Sequence, residues 1–295
     1  MRGLDTPDLA PSVLSLLAPA YRNASWTPAL LPIPSAHPAG RNCSWGQLRV
    51  GQLHQGLCLV GRDDFLSARI ISHGRWDECD DIVELWHNRS GAGDVFLDGG
   101  ANIGACTLQL LLRTSATVVA VEPASTNLFY LTRSLARVMQ RHGWRVASRV
   151  AVVPFAVGAQ PAQGRMRPLE QHNAGNMALE VGSATAAAAG ADAVDVRRLD
   201  DLFGLEGGAR VRVAKLDVQG CECLALSGGA RLFAQVARQG GAVIAEASEK
   251  HLRAQGCSGE ALRERLRALG FAVELREEGP HRPYKDRMLV GRGGG

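Results

Sequence analysis

The sequence has little lysine, few aromatic residues, no CxxC pair and no long apolar run, and each shortage closes off a class of protein. Lysine occurs only at Lys215, Lys250 and Lys285, so arginine carries nearly all the positive charge of an Ala/Gly/Arg-rich chain. The 33 basic and 29 acidic residues leave a net charge of +4 without a basic block, and aromatics make up only 5%. A nucleic-acid binder would gather its basic residues into a patch, so no nucleic-acid partner is expected. No apolar stretch reaches the roughly 20 residues that span a bilayer. The opening MRGLDTPDLAPSVLSLLAPA lacks a basic flank before its short apolar stretch and carries acids and prolines. It reads as a poor signal peptide, which favours a cytoplasmic location.

Seven cysteines are scattered from Cys43 to Cys257 without the spacing of a zinc or redox pair, so reduced structural thiols are expected. Cys221 and Cys223 stand too close for an unstrained disulfide and supply at most half a metal site. Asn23, Asn42 and Asn88 each begin an Asn-x-Ser sequon, which without a signal sequence reads as chance.

What is present suits one large core with an extension: 295 residues, 46% hydrophobic. Residues 1–46, rich in Pro, Ala and Ser, read as an irregular N-terminal extension. Residues 47–92 read as a small cap or accessory segment, with strands at 47–54 and 57–60 and a helix at 80–88. The principal domain occupies residues 93–292. There, short apolar runs at 94–98, 117–121, 150–156, 194–196, 211–216 and 242–245 alternate with helical segments at 103–113, 126–140 and 260–269. The last two strands, 271–275 and 287–290, read as an antiparallel pair. The fold class is therefore α/β, Rossmann-like, with a mostly parallel doubly wound sheet. Such sheets bind ligands beyond the carboxyl ends of their strands, which directs attention to Asp98, Glu122, Ala156, Asp217 and Glu246.

The first strand runs into Asp98-Gly99-Gly100-Ala101-Asn102-Ile103-Gly104. This is not the G-x-G-x-x-G turn of a dinucleotide site. A carboxylate at the strand tip repels a pyrophosphate but suits a ligand bearing an ammonium and a sulfonium, the charge pattern of S-adenosylmethionine. Glu122 follows the second strand in VVAVEP at the spacing from which an acid meets ribose hydroxyls.

FLDGGANIG, VAVEP, VAKLDVQGCECLALSGG and VIAEAS, in that order between about residues 95 and 271, resemble the successive signatures of the FkbM-type methyltransferases. The resemblance implies the class I methyltransferase fold, S-adenosylmethionine as cofactor and transfer of methyl to a hydroxyl oxygen. Carried over by position, Asp98, Gly100, Asn102 and Gly104 form the cofactor loop and Glu122 the ribose contact. Two departures bear on the site. Gln219 replaces the Glu common in the family's D-V-E-G segment, removing a carboxylate beside Asp217. Phe155 stands where a polar residue often meets adenine, leaving backbone groups near Ala156 to do so.

Methyl transfer from a sulfonium needs donor and acceptor aligned and the acceptor's proton removed. Asp217, at a central strand end, is the first candidate base, Glu246 the second, and His172, in the polar HNAGN segment read as a loop, the third. Lys215, inside a strand, is expected to point outward or to pair with a neighbouring acid. Asp217 and Glu246 could share a hard cation, but further oxygen ligands are not evident and no metal is expected. The acceptor implied is a hydroxylated small molecule or glycan; the sequence leaves the oligomeric state open. Two other readings stand beside this one: a cofactor-binding but inactive module, and a nicotinamide oxidoreductase, which the acid of the loop disfavours.

Overall fold

Short runs such as VFLDG, TVVAV and VAVV, largely apolar and buried at every position but Thr117, form strands covered on both faces. The computed structural model describes residues 13–23, 25–26, 40, 42–89, 91, 93–170, 173–182, 192–203, 210–276 and 288–294. Its strands are β1 (Ser44–Val50), β2 (Leu53–Leu59), β3 (Val95–Gly99), β4 (Thr117–Val121), β5 (Val150–Val153), β6 (Ala156–Val157), β7 (Ala162–Glu170), β8 (Asn173–Val181), β9 (Asp192–Arg197), β10 (Val211–Leu216), β11 (Ala242–Glu246), β12 (Phe271–Arg276) and β13 (Met288–Gly293). Seven form one sheet in the order β12-β13-β11-β10-β3-β4-β5. The five from β11 to β5 run parallel, and β13 lies antiparallel to both its neighbours. This is the doubly wound sheet with an antiparallel C-terminal pair that the sequence predicts.

Alternation along each strand divides the core in two. Phe96, Val118, Val152, Val213 and Ile244 face the helices Glu78–His87, Ala105–Arg113 and Ser125–His142. Leu97, Val119, Val153, Ala214 and Val243 face the helices Glu222–Gly228, Ala230–Arg238 and Gly259–Ala268.

Several expectations are corrected. The first hairpin turns at Gly51, not at residues 55–56, and Leu48, Val50, Leu57 and Leu59 join the same core as the helix Ser125–His142. The third strand stops at Val153; Ala156–Val157 begins a separate four-stranded sheet, β6-β9-β7-β8. Asn173 to Asn176 belong to strand β8, not to a loop, while His172 lies outside the described residues. The cysteines are not all reduced: Cys43–Cys58, Cys79–Cys106 and Cys223–Cys257 form disulfides, and Cys221 is free and buried. Their partners are 15, 27 and 34 residues apart in sequence, so local spacing carries no trace of the pairing. Among the described residues no helix is long and apolar enough to cross a membrane.

Candidate functional site

Where β3 and β10 end side by side, the two following turns nearly touch. Gly100 takes φ +78°, and a Cβ there would lie 1.8 Å from the carbonyl oxygen of Asp217, so only glycine fits. Asn102 (φ 53°) and Gln219 (φ 52°) are the non-glycine residues with positive φ among those described. Backbone strain of this kind persists where the surroundings hold it and gathers at functional sites. The surroundings here are specific. The Asn102 N–H donates to Glu122 Oε2 at 2.8 Å, and Glu222 accepts the N–H groups of Val218 (2.9 Å) and Gly220 (3.3 Å) on either side of Gln219.

Two cavities open at this point, and Gly100, Asn102, Asp217 and Gln219 line both. The smaller, about 50 Å³, is walled by Val121, Phe155, Ala156, Met177 and Leu179, with the Glu122 carboxyl at its edge. The larger, about 230 Å³, combines the aromatic rings of Phe65 and Trp76 with Glu78, Lys215, Glu246 and His251. β8 passes over both: Gly175 borders the smaller, Asn173 and Asn176 the larger, and a Cβ on Gly175 would reach within 2.5 Å of the Asn102 amide.

Lys215 organises the charge of the larger cavity. Only 4% exposed, its ammonium donates to Asp217 Oδ2 at 3.0 Å and to the Gly100 carbonyl at 3.2 Å, and stands 3.9 Å from Asp98 Oδ1. Burial works against its charge, but Asp217, Glu78 and Asp98 outweigh burial and hold its pKa above the ordinary lysine value. Burial likewise pushes Asp217 up, yet Lys215 and the hydrogen bond from Gln219 Nε2 (2.7 Å) bring it below the usual carboxylate range. The same Gln219 amide donates to Glu246 Oε2 at 3.2 Å and so bridges two carboxylates. A Glu at this position would set three acids together, which gives the departure from the D-V-E-G pattern a physical use.

Glu78 behaves in the opposite way to Asp217. Burial raises its pKa more than the Lys215 charge and the Trp76 indole N–H (3.0 Å to Oε2) lower it, and its Oε1 has no hydrogen-bond partner. Burial lifts Glu122 to about 7 despite the hydrogen bonds it accepts from the Ala124 and Asn102 N–H groups and the Asn127 amide.

Of the residues singled out in the sequence, Gly100, Asn102, Glu122, Ala156, Asp217 and Glu246 converge on the two cavities. Two do not. Asp98 lines neither cavity: fully buried, it accepts the Thr107 hydroxyl at 2.6 Å and serves as a counter-charge beneath Lys215. Gly104 lines neither cavity; it packs where a Cβ would fall 2.5 Å from Leu131 Cδ1. Lys215 takes the second of its expected alternatives and pairs with acids. Sequence reasoning missed Glu78 and Trp76. In WDECDD the acid reads as an ordinary helix-start residue, which is its usual role.

The family model of the methyltransferase FkbM domain matches residues 98–273. No curated protein matches the chain in sequence. Among solved structures, the chain is similar to the FkbM methyltransferase from Methylobacillus flagellatus KT at 20% identity and a TM-score of 0.45, over 68% of this chain and 43% of that one. It thus spans less than half the length of that protein. It is similar to the magnesium protoporphyrin IX methyltransferase from Synechocystis PCC 6803 with bound SAH at 14% identity and a TM-score of 0.45, over 79% and 90% of the two chains. It is also similar to the precorrin-6y C5,15-methyltransferase from Geobacter metallireducens GS-15 at 13% identity and a TM-score of 0.41, over 73% and 86%.

Proposed function

The chain belongs to the methyltransferase FkbM family, and on that premise we propose that it transfers methyl from S-adenosylmethionine to a hydroxyl oxygen of a small molecule or glycan. The carrying observation is the pair of neighbouring cavities at the ends of β3, β4 and β10, which share as lining a Gly100 that tolerates no side chain.

The residues present fit the cofactor. The apolar walls at Phe155, Ala156 and Met177 suit an adenine, and the Glu122 carboxylate suits a ribose diol. Gln219 Oε1 and Asn176 Oδ1 are buried acceptors without hydrogen-bond partners, a demand that an amino-acid ammonium would meet. Bound there, S-adenosylmethionine supplies an electrophilic methyl on a cationic sulfur. The nearby carboxylates suit that charge, and the Gly100 carbonyl is fixed by the Lys215 ammonium.

Five described carboxylates line the larger cavity, Asp77, Glu78, Glu170, Asp217 and Glu246. Asp77 is taken up by Arg69 and Arg75, and Glu78, Asp217 and Glu246 lie nearest the Lys215 and Gln219 network. Asp217, the first expectation for the base, is held anionic by Lys215 and is therefore weakly basic; we assign it and Glu246 to holding ligands in place. Glu78 combines raised basicity with an unpaired Oε1 and is the better acceptor for the hydroxyl proton. Phe65 and Trp76 give the acceptor an apolar wall, a combination with carboxylates that suits a hydroxylated ring.

Calorimetric titration with S-adenosylmethionine and its demethylated product, followed by transfer of a labelled methyl into an extract of the producing cells, tests this reading. Saturable binding, abolished in Gly100→Ala, and label on an oxygen-linked methyl are expected. Absence of binding, or binding of NADH in its place, would refute the assignment. Binding with no labelled product under any condition would leave the inactive module as the correct reading.

A further inference from the structure

The chain has seven asparagines, and they divide into two groups. Asn102, Asn173 and Asn176 line the larger cavity, and Asn127 is buried against Glu122. The other three, Asn23, Asn42 and Asn88, are exposed, line neither cavity, and are each followed by x-Ser: Ala24-Ser25, Cys43-Ser44 and Arg89-Ser90. With about one residue in twelve being Ser or Thr, seven asparagines would yield fewer than one such triplet by chance. Each exposed asparagine also stands at the edge of an element: after the helix Pro19–Arg22, before β1, and after the helix Glu78–His87. Asn88 is beside Arg89, whose guanidinium reaches the Gly240 carbonyl just before β11, at the end of the sheet away from the cavities.

A second observation is independent of the first. Six of the seven cysteines are joined in three disulfides between segments 15, 27 and 34 residues apart, and such bonds persist in oxidising compartments. Those are also the compartments in which asparagine is glycosylated.

We propose that this chain matures in an oxidising compartment and carries N-linked glycans on Asn23, Asn42 and Asn88. This replaces the cytoplasmic location expected from the N-terminal residues. At each site the Asn Nδ2 attacks the anomeric carbon of a saccharide carried on a lipid diphosphate. The new N–C bond forms as the C–O bond to phosphate breaks, the lipid diphosphate leaves with the electron pair, and the amide proton passes to a base of the transferring enzyme. Each disulfide forms as two thiols give two electrons and two protons to the disulfide of an oxidoreductase, which is reduced to its dithiol.

The test uses the protein purified from the cells that make it. Peptide N-glycosidase should lower its apparent mass in three steps on partial digestion and convert Asn23, Asn42 and Asn88 to Asp in the peptide map. Asn23→Gln, Asn42→Gln and Asn88→Gln, each expressed in those cells, should each remove one step. Iodoacetamide under denaturing, non-reducing conditions should label Cys221 alone, and all seven cysteines after reduction. Mobility unchanged by the glycosidase, or seven labelled thiols before reduction, overturns the proposal.

Discussion

Glu78 and Asp217 face one cavity and one ammonium, yet their surroundings drive their acidities apart. Asp217 takes the direct 3.0 Å contact with Lys215 and the Gln219 amide, so its charge is stabilised; Glu78 is half-buried, with its Oε1 enclosed and without a hydrogen-bond partner. Replacing Glu78 with Gln keeps the shape and removes the proposed base. The expected result is a fall in kcat of about a hundredfold with cofactor affinity unchanged, measured by initial rates beside calorimetry; unaltered kcat would remove Glu78 from the reaction. Gln219→Glu tests the bridge. With three acids in contact the folded state must retain a proton, so the variant should lose about 1–3 kcal/mol relative to wild type at pH 8 and little at pH 5, read from denaturant midpoints. The placement of Gly100, Asn102 and Glu122 at the cavities is legible in the sequence, because it follows from backbone geometry and position at a strand end. Glu78 is not legible, since its role depends on a helix from outside the parallel sheet folding over Lys215.

At the scale of elements, Thr117–Val121 and Val211–Leu216 match their predicted bounds: TVVAV is a nearly continuous apolar run buried on both faces, and VRVAKL, though it carries Arg212 and Lys215, is set off by its β-branched and apolar residues and stops at Asp217. The β7–β8 hairpin went unseen for the opposite reason. Much of β7 is exposed or half-buried, with Met166 its buried residue, so neither strand shows a clean alternation and HNAGN reads as a loop. The helix Glu78–His87 owes its position partly to the disulfide from Cys79 to Cys106, next to the base and next to the start of the loop-following helix Ala105–Arg113. Replacing both cysteines with Ser lengthens the unfolded chain's freedom over 27 residues. A loop of that size corresponds to about 3.5 kcal/mol in the chain-entropy account. The double variant should therefore unfold at lower denaturant and, with Glu78 less firmly placed, lose more kcat than cofactor affinity. Equal losses of both would show that the helix is held by packing alone.

Across the whole molecule, buried acids bend the dependence of stability on pH in one direction. Burial lifts both Glu122 and Glu222 to about 7, against an ordinary value near 4.5 in the unfolded chain. Between those values the folded protein holds protons that the unfolded chain has released, so stability falls as pH rises from about 5 to about 8. At 1.36 kcal/mol per unit, each group contributes a loss of about 3 kcal/mol. Asp217 acts oppositely, but its lowered pKa confines its effect to acid solution below the ordinary aspartate value, and the raised pKa of Lys215 matters only in alkali. The melting temperature should accordingly be highest near pH 5 and decline toward pH 8, with the decline reduced in Glu122→Gln. If Glu122 makes the proposed ribose contact, cofactor binding should run the other way, because the ionised carboxylate holds hydroxyls better: affinity should rise through pH 7 in wild type and stay flat in Glu122→Gln. A melting temperature that climbs from pH 5 to pH 8 would mean that Glu122 and Glu222 are already ionised in the folded protein and that the buried hydrogen bonds, not burial, govern them.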